Sequence, residues 1–150
     1  MNRRIWYLFN FWKFKKLGRK SFVKNALIIT PSCITIGNNV YIQPQSRIEG
    51  VSNYEAVSFL PEITIDDYCT IQQNLHLTCG EKIYIGKNTA IAANVTITDI
   101  NHPYENIYLP IEKQPITTKN VYIGCDCKLY NNVVILPGTT IGKHCVIGAK

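Results

Sequence analysis

Aliphatic residues recur every sixth position along most of the chain. Ile36, Ile42 and Ile48 open the series. It restarts as Ile65, Ile71, Leu77 and Ile83, again as Ile85, Ile91 and Ile97, and then as Ile123, Leu129, Ile135, Ile141 and Ile147. Small or β-branched residues stand four positions further on: Val40, Ser46, Cys69, Thr89, Val95, Cys127, Val133, Thr139 and Cys145. A period of six fits neither an α-helix nor plain strand alternation. It fits a short strand and a turn repeated around a prism, with three hexads to a coil of about eighteen residues. The aliphatic side chain then points inward and stacks on its counterpart one coil away. Asn, Asp and Gly fill the turns, as in Gly37-Asn38-Asn39, Asp66-Asp67 and Gly86-Lys87-Asn88, where left-handed backbone angles are tolerated. A β-sandwich does not hold a six-residue register over so many strands. The expected fold is all-β, a parallel β-helix. Periodicity leaves its hand open, since parallel crossovers are right-handed in most folds.

Three interruptions break the register. Residues 51–62 read as a surface excursion. The step from Ile83 to Ile85 slips by two and implies a tighter corner or a small insertion. Residues 98–120 hold Pro103, Pro110 and Pro115 with Tyr104 and Tyr108, and read as a loop that leaves the prism. Loops on a rigid scaffold commonly carry function.

Charge divides the chain. Nine Lys/Arg and no Asp or Glu precede Glu49, whereas seven Lys/Arg and ten Asp/Glu follow from there. A nucleic-acid surface spread over the whole domain would look different. The first twenty residues interleave seven cations with six aromatics. They read as a helical or extended segment, within residues 1–30, that either caps the open end of a solenoid or lies on an anionic membrane. Residues 31–150 make the β-helix domain. No apolar run reaches the roughly 18 residues of a membrane span, and the N-terminus lacks the pattern of a secretory signal. The expected location is the cytoplasm, or peripheral at the inner face of its membrane. In that reducing setting most of the six cysteines read as small buried thiols. Cys125-Asp-Cys127 lacks the second Cys/His pair that a zinc site needs.

The loop opens with Asp99-Ile100-Asn101-His102-Pro103-Tyr104. Here, and in the runs Ile85-Gly86-Lys87-Asn88, Ala93-Asn94-Val95-Thr96-Ile97 and Val133-Val134-Ile135-Leu136-Pro137-Gly138-Thr139-Thr140-Ile141-Gly142, the chain resembles the hexapeptide-repeat acyltransferases. The resemblance is to the branch of galactoside and maltose O-acetyltransferases and of polysaccharide-cluster acetyltransferases. It implies a left-handed β-helix, a homotrimer with active sites between subunits, and acetyl transfer from acetyl-CoA to a hydroxyl of a sugar or glycan, with no metal. His102 would be the general base, since neutral imidazole titrates near working pH. Asp99 would either orient its ring or cap a turn. Gln72 and Asn74 lie near the family's polar acceptor residue, and Tyr104 would stack on a sugar or anchor the loop. The pantetheine arm of the coenzyme would lie near Pro137-Gly138 and the following coil, and backbone amides would stabilise the oxyanion. Lys128 stands where many members carry Trp, and so implies a different pocket wall. His76 and His144 read as surface turn residues. The chain stops in mid-coil at Gly148-Ala149-Lys150, where members of the family continue through a further coenzyme-contacting coil.

Other readings remain open. One is a non-catalytic β-helix scaffold, and another is N-acetyl transfer to an amino sugar. A third is a β-helical carbonic anhydrase, which needs three metal-binding histidines.

Overall fold

A computed structural model describes residues 3–148; Met1 and Asn2 of the N-terminal segment, and Ala149 and Lys150 of the final coil, lie outside the described residues. The chain forms a left-handed parallel β-helix with three faces. The first face stacks Lys16–Leu17, Ile34–Ile36, Glu62–Ile65, Lys82–Ile85, Val121–Ile123 and Thr140–Ile141. The second stacks Phe22–Val23, Tyr41–Ile42, Thr70–Ile71, Ala90–Ile91, Lys128–Leu129 and Val146–Ile147. The third stacks Ile28–Ile29, Arg47–Gly50, His76–Cys79, Thr96–Thr98 and Val134–Ile135. Aliphatic residue meets aliphatic residue in register: Leu17 on Ile36, Ile36 on Ile65, Ile65 on Ile85, Ile85 on Ile123, and Ile123 on Ile141. Burying each such side chain stabilises the fold by about 1.5–3 kcal/mol. The backbone polar groups bond from coil to coil, so the ladder runs along the prism axis.

The prism starts earlier than residue 31. Leu17, Val23 and Ile29 keep the six-residue spacing among themselves, with a step of seven from Ile29 to Ile36, and build a complete first coil. The dense aromatics and cations around them hide this spacing in the sequence. A helix, α1 (Arg3–Asn10), covers that coil. Its Trp6 packs edge-on against Phe22 with ring centres 5.1 Å apart, and tilts against Phe14 at 6.3 Å. Tyr7 donates its hydroxyl to the Leu17 carbonyl at 3.2 Å.

The corners explain the small residues. At the edge between the first and second faces, Ser21, Cys69, Thr89 and Cys127 donate to the carbonyls of Gly37, Gly86, Gly124 and Gly142 on the next coil. A compact side chain is what this position requires, since buried Val40 fills it in the second coil without a donor, and Cys69 and Cys127 serve there as interior donors. Burial pushes the Cys69 thiol up to about 12, which keeps its proton in place. All six cysteines are free. The glycines of this edge sit where backbone meets backbone: a Cβ on Gly86 would lie 2.6 Å from the Gly124 carbonyl carbon. Gly86→Ala is expected to destabilise the chain by about 1–3 kcal/mol, the usual range for overpacking, read as a drop in the urea midpoint.

The two edges that lead from the first face to the second and from the second to the third keep a spacing of six throughout. All irregularity falls on the remaining edge, here termed the return edge. Residues 51–62 leave there as a hairpin of Asn53–Tyr54 and Val57–Ser58. Gly80 and Glu81 supply the two-residue slip, so Ile83 and Ile85 both point inward from one strand. Residues 98–120 also leave at this edge.

Candidate active site on the return edge

The long loop stands on a two-stranded stem, Ile100–Asn101 paired antiparallel with Thr117–Thr118. Asp99 anchors the stem. Its carboxylate is fully buried and accepts the backbone N–H of Gly80 at 2.7 Å, of Glu81 at 2.9 Å and of Lys82 at 2.8 Å. The Cys79 thiol donates to it at 3.4 Å, and burial together with this carboxylate raises that thiol's pKa. Both oxygens are therefore committed to the corner one coil below. Of the two roles weighed for Asp99, the ring-orienting one is corrected: it is a corner clamp, and it makes no hydrogen bond to His102. Within the loop, buried Gln114 donates to the carbonyls of Asn106 and Leu109 at 2.9 and 3.2 Å, replacing strand pairing as the organiser.

The hairpin and the long loop meet over the third face. Tyr54 donates its hydroxyl to the Glu112 carbonyl at 2.9 Å and lies 3.0 Å from the Glu112 carboxylate. Desolvation, reinforced by that carboxylate, holds the Tyr54 phenol above its ordinary pKa. Lys113 pairs with Glu55 at 3.4 Å. The Tyr54 ring stands edge-on to His102, with centres 5.5 Å apart at 81°.

His102 forms a wall shared by two clefts. The first, of about 800 Å³, runs past the stem toward the next coil and is lined by Thr117, Lys119, Leu136 and Pro137 among others. The second, of about 490 Å³, lies toward the earlier coils and holds Arg47, Glu49, Tyr54, His76 and Thr78. Nδ1 of His102 is buried and has no hydrogen-bond partner among the described residues. Arg47 donates to Glu49 through Nε at 2.6 Å.

The other sequence candidates divide. Pro137 lines the larger cleft. Gly138 takes a positive φ of 80° and donates its N–H to the Lys119 carbonyl at 3.0 Å, so that amide is already committed and is not a free oxyanion donor. Lys128 lies on the second face with its ammonium 5.5 Å from the Tyr130 ring centre, lining neither cleft. Gln72 follows a second-face strand, and Asn74 takes a left-handed turn conformation and donates to Asn94 at 2.9 Å. Both stand on the edge between the second and third faces, and neither lines either of these two clefts of a single copy. Tyr104 is 70% exposed and also lines neither.

His144 occupies a left-handed turn, as its place in the repeat predicts. His76 does not: it begins a third-face strand and lines the same cleft as His102. The sequence reading missed His76, Arg47, Glu49 and Thr78. The signal was present, because each flanks the third inward aliphatic of a coil, Ile48 or Leu77, and so points outward beneath the loop. The three histidines do not converge, and among the described residues no group of three or more His, Cys, Asp or Glu side chains could hold a metal ion.

Comparison with known proteins gives this geometry a setting. Residues 120–150 match the bacterial transferase hexapeptide family, described as six repeats. The chain is 30% identical over 143 residues to an Escherichia coli protein named for lipopolysaccharide biosynthesis O-acetyl transfer, WbbJ, covering 86% of this chain and 69% of that one. It is 32% identical over 133 residues to the galactoside O-acetyltransferase of Escherichia coli, covering 84% of this chain and 57% of that one. The chain thus spans a little over half to about two thirds of the length of these relatives. A hexapeptide-repeat acetyltransferase from Vibrio cholerae, solved in complex with acetyl coenzyme A, superposes with a TM-score of 0.59 at 20% identity, covering 99% of this chain and 65% of that one. The coil-by-coil register, the broken return edge and these likenesses agree: the chain belongs to the bacterial hexapeptide-repeat transferase family.

Proposed function

We propose that this protein transfers an acetyl group from acetyl-CoA to a hydroxyl of a sugar or glycan, with His102 as general base. The observation that carries the reading is the position of His102 between two clefts, each large enough for one substrate. The larger cleft takes the coenzyme. Leu136 and Pro137 offer an apolar wall for the pantetheine arm, and Lys119 a cation for phosphate. The smaller cleft takes the acceptor. Arg47, Glu49, His76 and Thr78 supply donors and acceptors for sugar hydroxyls, and Tyr54 supplies an aromatic side. The relatives' names, lipopolysaccharide O-acetyl transfer and galactoside O-acetyl transfer, favour an O-linked sugar product.

A hydroxyl is a poor nucleophile until its proton leaves. His102 takes that proton as the oxygen attacks the thioester carbonyl. The C–O bond forms, the C–S bond breaks, and the departing thiolate takes the proton back from the imidazolium. The buried Nδ1 needs a partner to fix the tautomer. A homotrimer with sites between subunits fits the same facts, because Ile107 and Tyr108 at the loop tip are exposed apolar groups with nothing on a single copy to cover them. The reaction belongs where acetyl-CoA is made, in the cytoplasm.

Calorimetric titration with acetyl-CoA, beside light scattering for mass, tests this without knowledge of the acceptor. Saturable binding at one site per subunit of a trimer is expected. Free thiol release on adding sugar acceptors then identifies the product class. A folded assembly that binds no acetyl-CoA would overturn the transferase reading.

A further inference from the structure

One face of α1 is used by the cap, and the opposite face is not. Trp6 is buried against the first coil, whereas Ile5, Leu8 and Phe9 are exposed, as are Phe11 and Trp12 just beyond the helix. Beside them lies a cleft of about 550 Å³ lined by Arg4, Tyr7, Leu8, Arg19, Lys20 and Ser21. Half of its lining is cationic and none is acidic. Lys13, Lys16 and Lys24 are exposed on the same N-terminal stretch, and no Asp or Glu precedes Glu49 in the chain. Exposed large apolar groups rimmed by one sign of charge mark an interaction surface.

We infer that this end of the prism docks on an anionic lipid bilayer, with Leu8, Phe9, Phe11 and Trp12 entering the headgroup layer and Arg19, Lys20 and Lys24 facing lipid phosphates. The chemistry is that of an interfacial amphipathic helix, in which apolar burial and attraction to anionic headgroups add. A second copy of this chain is the poorer occupant. A two-fold contact would bring the same cations against these, and the nearby carboxylate of Glu62 is already paired with Lys15 and Lys82. The acceptor-side cleft is close to that surface. Arg47 pairs in register with Ile28 of the first coil, one inter-strand step of roughly 4.8 Å along the axis. A sugar carried on a lipid would meet His102 from below. Docking itself does not depend on transfer chemistry.

Flotation of the full chain with vesicles tests the inference, comparing equal parts phosphatidylglycerol and phosphatidylcholine against phosphatidylcholine alone. Binding to the anionic vesicles only, weakened by salt, is expected. Arg19→Glu with Lys20→Glu should weaken partitioning about tenfold or more, since each cation near the surface contributes several-fold. Phe9→Ser with Trp12→Ser should weaken it too, with circular dichroism unchanged, and His102→Ala should float as the parent does. Failure to float with anionic vesicles, equal flotation with both kinds, or parent-like flotation of both double variants overturns the proposal. So does a fall in assembly mass on Phe9→Ser with Trp12→Ser, which would assign the patch to a second copy.

Discussion

His102→Ala should lower turnover by about 10²–10⁴-fold, the range a positioned general base contributes. Acetyl-CoA affinity should change far less than turnover. The separation follows from where the side chain stands. His102 is only partly buried and its Nδ1 has no hydrogen-bond partner among the described residues, so its removal orphans none of them. The coenzyme-side wall of Lys119, Leu136 and Pro137 is untouched. A pre-steady-state or steady-state thiol assay reads the first quantity and calorimetry the second. A folded alanine variant with parental turnover would remove His102 from the chemistry. Tyr54, which stands edge-on to the ring, separates positioning from chemistry. Tyr54→Phe keeps the ring and loses only the bond to Glu112, an exposed contact worth about 0.5–1.5 kcal/mol at most.

Asp99→Ala should act quite differently. It removes a buried carboxylate and leaves the amides of Gly80, Glu81 and Lys82 without their acceptor. Breaking such a charged, buried network costs about 3–5 kcal/mol, and unfolding should move down by on the order of 10 °C for a domain of this size. Asp99→Asn keeps the shape but turns an amide donor toward donors, so it should rescue little. At temperatures where the variant is still folded, its turnover should stay near the parent's. A variant that melts as the parent does yet loses turnover would return Asp99 to the chemistry. Calorimetric melting and a low-temperature assay decide between the two.

The contrast shows what could be read from residues. The hexads of Ile36–Ile42–Ile48 and their successors dictate the three-faced stack because each inward position repeats on a fixed spacing. The place of His102 at the loop entrance was equally legible, since it stands at the longest break in that spacing, while its role as base rests on the experiment above. Asp99 was legible only as two alternatives, because a carboxylate three residues before a histidine can face either way. The direction was decided by three amides that come from a corner nineteen to seventeen residues earlier. Arg47, His76 and Tyr54 were out of reach for a similar reason. Each is ordinary within its own hexad or hairpin, and becomes part of a site only when stacking brings coils that are distant in sequence under one loop. Asn74 was legible as a turn residue, because Asn tolerates the left-handed backbone that its hexad requires there.

The return edge also has a consequence for how this chain can change. Closing a flexible segment costs entropy that grows only with the logarithm of its length, about 0.6 kcal/mol for each doubling. Stretching one six-residue corner to the 26 positions between Ile97 and Ile123 therefore adds little more than about 1 kcal/mol by that scaling. The antiparallel stem and the Asp99 clamp fix the two ends, so the added length does not disturb the stacked interior. Segments of other lengths and sequences can be exchanged at this edge while the remaining two keep the coils in step, which lets substrate preference vary without renegotiating the stability of the scaffold.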